Sequence, residues 1–121
     1  MSYGLEMVPE VRAWPHELRR TDRSTALLVG QAISMLLEAG PELGRPLADR
    51  IHGATLHNLK ELRPGSAGRS EVRILFVFDP RRRAVLLVAG DKTGQWNAWY
   101  RVAVPLAEAR YAVYLKEREG R

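Results

Sequence analysis

The chain has 121 residues, 45% of them hydrophobic and 27% charged, with no cysteine and a formal net charge of +5. That length suits one compact domain, and the composition excludes a disordered, fibrous or disulfide-stapled protein. Thiolate catalysis and sulfur-ligated zinc fall with the missing cysteine. No apolar run reaches the length of a membrane span, and Met1 to Pro15 mixes charges as no secretory signal does, so cytoplasmic residence is expected.

In chain order, Tyr3 to Val8 reads as a first strand, and Pro9 fits the first turn of a short helix that Pro15 interrupts. Thr21 or Asp22 is a natural N-cap for a longer helix with Leu28, Ala32, Ile33, Leu36 and Leu37 at helical spacing, and Gly40 followed by Pro41 stops it. Pro41 to Asp49 carries no periodic signal and reads as an irregular surface connection. Three strands are predicted next, over Leu56 to Leu62, Glu71 to Phe78 and Ala84 to Gly90. The near-continuous apolarity of Arg73-Ile74-Leu75-Phe76-Val77-Phe78 suggests a strand covered on both faces. Turns at Pro64 to Gly68 and Asp79 to Arg82 make the three an antiparallel meander. After Lys92 the pattern is helical. Pro105 is expected to divide that segment, with Leu106, Ala109, Tyr111, Val113 and Tyr114 docking its second piece on the sheet. The expected fold class is α+β, a single domain over 1–121 in which a small antiparallel sheet (the meander plus the N-terminal strand) packs with helices.

Folding the chain about these turns places Arg73 opposite Val88 or Ala89, Lys60 opposite Ile74 and Arg63 opposite Glu71. Lys92 lies just past the third strand and Arg69 in the loop at the same end. Lys60, Arg63, Arg69, Arg73 and Lys92 therefore gather at one end of the sheet, with Arg81, Arg82 and Arg83 at the other. Between His57 and Arg101 nine Lys and Arg face four Asp and Glu, a surplus that equals the net charge of the whole chain. Scattered surface cations are usually a solvated rim. Convergence from three strands instead favours a polyanion site, because neutralised phosphates release counterions. Trp96, Trp99 and Tyr100, with Arg101 beside them, supply rings on which bases stack, although Trp96 and Trp99 equally suit packing of helix on sheet. Trp14 reads as buried packing. His16 and His52 read as structural and His57 as a partly exposed strand residue, so neither a catalytic histidine pair nor a metal set is expected.

The runs His57-Asn58-Leu59-Lys60-Glu61-Leu62-Arg63, Arg73-Ile74-Leu75-Phe76, Gly90-Asp91-Lys92 and Trp99-Tyr100 resemble the RelE/ParE superfamily of bacterial toxins, and its HigB-like branch best. The resemblance covers most of the chain, since the Gly40-Pro41 stop, the Gly44-Arg45-Pro46 connection and the Pro105-Leu106-Ala107 helix also match. It implies a metal-independent, cofactor-free endoribonuclease that cleaves messenger RNA on the ribosome, in contact with 16S ribosomal RNA, and that a helix-turn-helix antitoxin restrains. In such enzymes the ribose 2′-hydroxyl attacks the adjacent phosphorus, leaving a cyclic phosphate and a 5′-hydroxyl end. On that reading Lys60, Arg63, Arg73, Lys92 and Tyr100 are the catalytic candidates, and Arg69, Trp96, Trp99 and Arg101 the RNA contacts. Tyr100, Tyr111 and Lys60 compete for the base, Tyr100 if positive charge lowers its pKa. The alternatives are a ParE-like gyrase inhibitor and a catalytically silent module that binds RNA or the ribosome. The nuclease reading requires Arg73 and Lys92 side by side and free of carboxylate partners.

Overall fold

The computed structural model describes residues 2–120. Strand β1 (Gly4–Met7) leads into helices α1 (Pro9–Arg12), α2 (Trp14–Thr21) and α3 (Arg23–Ala39), followed by a 3₁₀ turn at Gly40–Glu42. Strands β2 (Ala48–Arg50), β3 (Lys60–Leu62), β4 (Val72–Phe78) and β5 (Arg83–Asp91) precede the long helix α4 (Trp96–Glu119). Pro9 is the first residue of α1 and Pro15 the second of α2, so Pro15 lies in the first turn of a new helix rather than interrupting the old one. Asp22 caps α3 by accepting the Thr25 amide at 3.2 Å, and Gly40 ends it at φ 68°, where a side chain would be strained.

The sheet has five strands in the order β1-β5-β4-β3-β2. The meander β3-β4-β5 is antiparallel, as expected, and the fold class is α+β. Two features correct the expectation. β1 runs parallel to β5, so the sheet is mixed. The segment read as irregular supplies a further strand, β2, antiparallel to β3. The three residues Ala48–Arg50 are too few to show alternation, and only the pairing with β3 makes them a strand. β3 is itself shorter than predicted, because residues 52–59 form a loop in which Gly53 takes φ 81° and the Leu56 amide donates to Glu108 at 2.7 Å.

Register within the meander differs from the expectation for an identifiable reason. From the turn, Phe78, Val77 and Phe76 pair with Ala84, Val85 and Leu86, a count that would bring Arg73 opposite Ala89. A bulge then makes Leu87 an extra residue in β5, so Leu75 pairs with Val88 and Arg73 with Gly90. Arg110 of α4 donates to the Leu87 carbonyl at 2.8 Å, serving an acceptor at the bulge. Lys60 pairs with Phe76 rather than Ile74.

Successive side chains of a strand point to opposite faces. Lys60 of β3 donates to the carbonyl of Pro41, just beyond α3, whereas the next residue, Glu61, accepts from Tyr100 of α4. Helices α3 and α4 therefore cover opposite faces of the sheet, which is why β4 and β5 are buried almost throughout. Pro105 does not divide α4. Ala103, Ala107 and Tyr111 are buried on either side of it, so one face of the helix stays docked, and the lost hydrogen bond leaves only the carbonyl of the exposed Arg101 without its helical donor.

Candidate functional site

At the end of the sheet where β4 begins and β5 finishes, Asp91 organises the backbone. Its Oδ1 accepts from the amides of Glu71 at 2.9 Å and Thr93 at 3.0 Å, while Thr93 Oγ1 reaches back to the Arg69 carbonyl at 3.0 Å. Burial opposes the Asp91 charge, but the Thr93 hydroxyl and the two amides hold its carboxyl below the usual range. These bonds carry the exposed Arg69 and the segment entering α4 to the same edge.

Glu61 lies at the centre of the site, and its role was not singled out from sequence. It is only 5% exposed. Its Oε1 accepts the Tyr100 hydroxyl at 2.7 Å and lies 3.3 Å from Arg73 Nε and 3.5 Å from Arg63 Nε. Arg63 Nη2 also meets Asp49 Oδ2 at 3.2 Å, tying in β2. Burial works against the Arg63 charge, but Glu61 and then Asp49 outweigh it and raise the guanidinium's pKa. Arg73 is largely enclosed. Its Nη1 donates to the Val72 carbonyl at 2.8 Å, and its Nε, though close to Glu61, is not aligned for a hydrogen bond. Opposite Arg73, a Cβ on Gly90 would stand 3.1 Å from the Trp99 indole nitrogen, so glycine there admits the Trp99 ring.

Lys92 completes the cluster. It is 7% exposed, with its ammonium 4.7 Å from the Trp96 ring centre and 5.6 Å from that of Tyr100. Among the described residues no carboxylate pairs with it. Trp96 itself is 65% exposed and holds φ 40°, a left-handed conformation rare for an aromatic residue. Its ring stands as an open platform over the cation, with the exposed Arg101 on the next turn.

The sequence candidates thus separate. Arg63, Arg73, Lys92, Tyr100, Trp96 and Trp99 come together on the α4 side, with Arg69 at the edge. Lys60 does not join them, because it faces the α3 side. That difference is legible in the spacing, since Lys60 and Glu61 are neighbours in β3 and successive strand residues take opposite faces. Arg63 and Arg73 are paired with carboxylates, contrary to the free cations expected. Tyr100 is pushed up to about 12, by burial first and then by its bond to Glu61, so its phenol is not the low-pKa base envisaged. Tyr111 is buried far from the cluster, stacked on Tyr114, whose hydroxyl donates to Asp79 at the opposite end of the sheet. His16, His52 and His57 are exposed, so neither His16 nor His52 is structural packing. Trp14 packs against the core as expected.

The family model described as phage-derived protein Gp49-like (DUF891) matches residues 16–112. The chain belongs to this Gp49-like family, together with relatives of the HigB type. Two relatives from Mycobacterium tuberculosis are named as toxins. HigB3 is 44% identical over 94% of this chain and 95% of its own length. HigB2 is 49% identical over 93% of this chain, which spans about half, 54%, of that relative. A free-state mutant of the Escherichia coli toxin RelE shares the fold, with a TM-score of 0.59 and 14% identity over 87% of this chain and 97% of that one.

Proposed function

We propose that the protein is the toxin of a type II toxin–antitoxin pair and acts in the cytoplasm as an endoribonuclease on ribosome-bound messenger RNA. The observation that carries this reading is the cluster around Tyr100 and the buried Glu61: three cations and a phenol in contact with one another, next to the exposed Trp96 ring. A base stacked on Trp96 lays its phosphate near Lys92, which among the described residues has no carboxylate partner. The requirement that Arg73 be free of a carboxylate is not met, since Glu61 lies 3.3 Å from it. This reading therefore rests on Lys92 as that unpaired charge donor, with Arg63 and Arg73 held in place by Glu61 and needing little reorganisation to face the extra negative charge of a five-coordinate phosphorus. The 2′-oxygen forms a bond to phosphorus, the P–O5′ bond breaks, and the leaving 5′-oxygen takes a proton from solvent water, giving a cyclic phosphate and a 5′-hydroxyl end. The proton taken up from the 2′-hydroxyl returns to that solvent. Glu61 is the carboxylate inside the cluster and, in this reading, takes the 2′-hydroxyl proton, while Tyr100 stays protonated as a hydrogen-bond donor. Among the described residues no helix is long and apolar enough to cross a membrane.

The carboxylate pairing of Arg63 and Arg73 favours a second reading, in which the face binds ribosomal or messenger RNA without cutting it. Incubation with translating ribosomes followed by mapping of messenger ends decides between them. Cuts within codons carrying a cyclic phosphate support the nuclease. Ribosome binding with intact messengers supports the silent module, and gyrase-linked DNA breaks would support a ParE-like poison instead.

A further inference from the structure

Helix α4 is apolar on two faces. Ala103, Ala107 and Tyr111 are buried against the body of the protein. From Val102 to Val113 every exposed residue is apolar as well, namely Val102, Pro105, Leu106, Ala109, Ala112 and Val113. Val102 is 70% and Val113 55% exposed. The spacing of Leu106, Ala109 and Val113 predicts docking on the sheet, yet they stand about 140–160° round the helix from Tyr111 and face solvent instead. Single exposed apolar side chains are ordinary, but three turns of surface helix without one exposed charge are not, because a helix apolar all round is normally a buried one.

The form of this face fits a second copy of the chain. A groove of about 470 Å³ lies between the ridge and α1, with Val8 and Pro9 in its wall, and another of about 540 Å³ lies between the ridge and the 52–59 loop. A ridge beside a groove is self-complementary under a two-fold rotation, since each copy's ridge enters the other's groove. The stripe also matches itself when reversed. In an antiparallel pair centred between residues 107 and 108, Val102 meets Val113 of the second copy, and Leu106 meets Ala109, large against small. Charge favours the same direction. Arg101 is the exposed charge at one end of the stripe, and at the other end the exposed Lys116 stands against the exposed Glu117 and Glu119. Antiparallel packing sets these unlike ends together, whereas parallel packing sets Arg101 against its own copy.

We propose that the outer face of α4 is a two-fold interface at which two copies of this chain pack antiparallel. Tyr100 points the other way, at Glu61, so the interface and the cationic site are separate surfaces. The stripe is only roughly 16 Å long. Even with both grooves the contact is small for a specific interface, and the dimer is a weak one, with a dissociation constant of roughly 1–100 µM.

Sedimentation equilibrium of the purified protein over a dilution series tests this, together with backbone amide shifts followed on dilution. The expected result is a reversible monomer–dimer equilibrium with shifts centred on residues 102–113. Val102→Glu and Val113→Lys, each alone, weaken dimerisation by more than about tenfold and keep the melting temperature, because both side chains already meet solvent in the monomer. Mixed together, the two variants associate again as a heterodimer, since antiparallel packing sets the substituted positions against each other. A chain still monomeric at ~1 mM, dilution shifts centred on α3 or on the cationic site, or dimerisation that survives both substitutions overturns the proposal. A mixture that stays monomeric overturns it too, as does a pure monomer whose α4 face is covered by a different protein or by the ribosome. The dilution shifts need no variant, so they decide the matter even where a substitution disturbs the fold.

Discussion

Tyr100 donates its hydroxyl to Glu61 Oε1 at 2.7 Å, the same oxygen that lies 3.3 Å from Arg73 Nε. One buried carboxylate thereby couples helix α4 to the sheet and fixes the protonation state of the phenol. Burial and the Glu61 charge both favour neutral tyrosine, and together they outweigh Arg73.

It follows that Glu61→Gln lowers the Tyr100 pKa from about 12 back toward the ordinary 10. Tyrosinate absorbance at alkaline pH, taken as the difference between each protein and its Tyr100→Phe derivative, measures the change. The same shift has a stability consequence. A folded-state pKa raised above 10 adds stability that is fully present below pH 10 and lost as pH rises through about 12. Tyr100→Phe removes that alkaline component, and an unchanged titration in the Gln variant contradicts the coupling.

Lys92 and Arg73 are expected to separate activity from stability. Lys92→Met keeps the packing under Trp96 and the melting temperature, yet lowers messenger cleavage by ~10²-fold to 10³-fold through loss of one charge donor. Arg73→Ala loses cleavage too, but it also strips a cation from buried Glu61 and costs on the order of 1–3 kcal/mol in urea unfolding, less than a full unpaired charge because Arg63 remains. Full growth inhibition by both variants would refute the site.

Trp96 holds φ 40° at the start of α4, where an L-residue is strained by roughly 1–2 kcal/mol. Trp96→Gly relieves that strain, so the variant melts at or above the wild-type temperature while its affinity for single-stranded RNA falls by ~1–3 kcal/mol for the lost stacking face. Trp96→Ala keeps the strain and loses the same affinity. A Gly variant less stable than the Ala variant argues against the strained conformation.

Arg110 Nη1 serves the carbonyl of fully buried Leu87 at 2.8 Å. Arg110→Met preserves much of the side-chain packing but leaves that acceptor unsatisfied, and a loss of ~1–3 kcal/mol in denaturant unfolding is expected. Arg110→Lys should recover part of it. Backbone amide shifts at Leu87 and Val88 report whether the bulge survives.

Much of the fold was written locally. The Asp22 cap, the Gly40 stop and the apolar run of β4 each depend on neighbours a few residues away, and the turn at Asp79 to Arg82 brings Arg73 and Lys92 to one end of the sheet by counting alone. Even the exclusion of Lys60 follows from its place next to Glu61 in a strand of period two. What tertiary structure alone decided was non-local. The three residues of β2 are a strand because β3 pairs with them, and the Leu87 bulge that shifts Arg73 onto Gly90 exists where Arg110, 23 positions on, meets its carbonyl. Glu61 and Arg63 are two residues apart and meet locally, but the Asp49 that also claims Arg63, the Glu61 that claims Arg73, and the burial that raises the Tyr100 pKa come from elements distant in sequence, and no local pattern of charge announces which of these the fold will bring within reach.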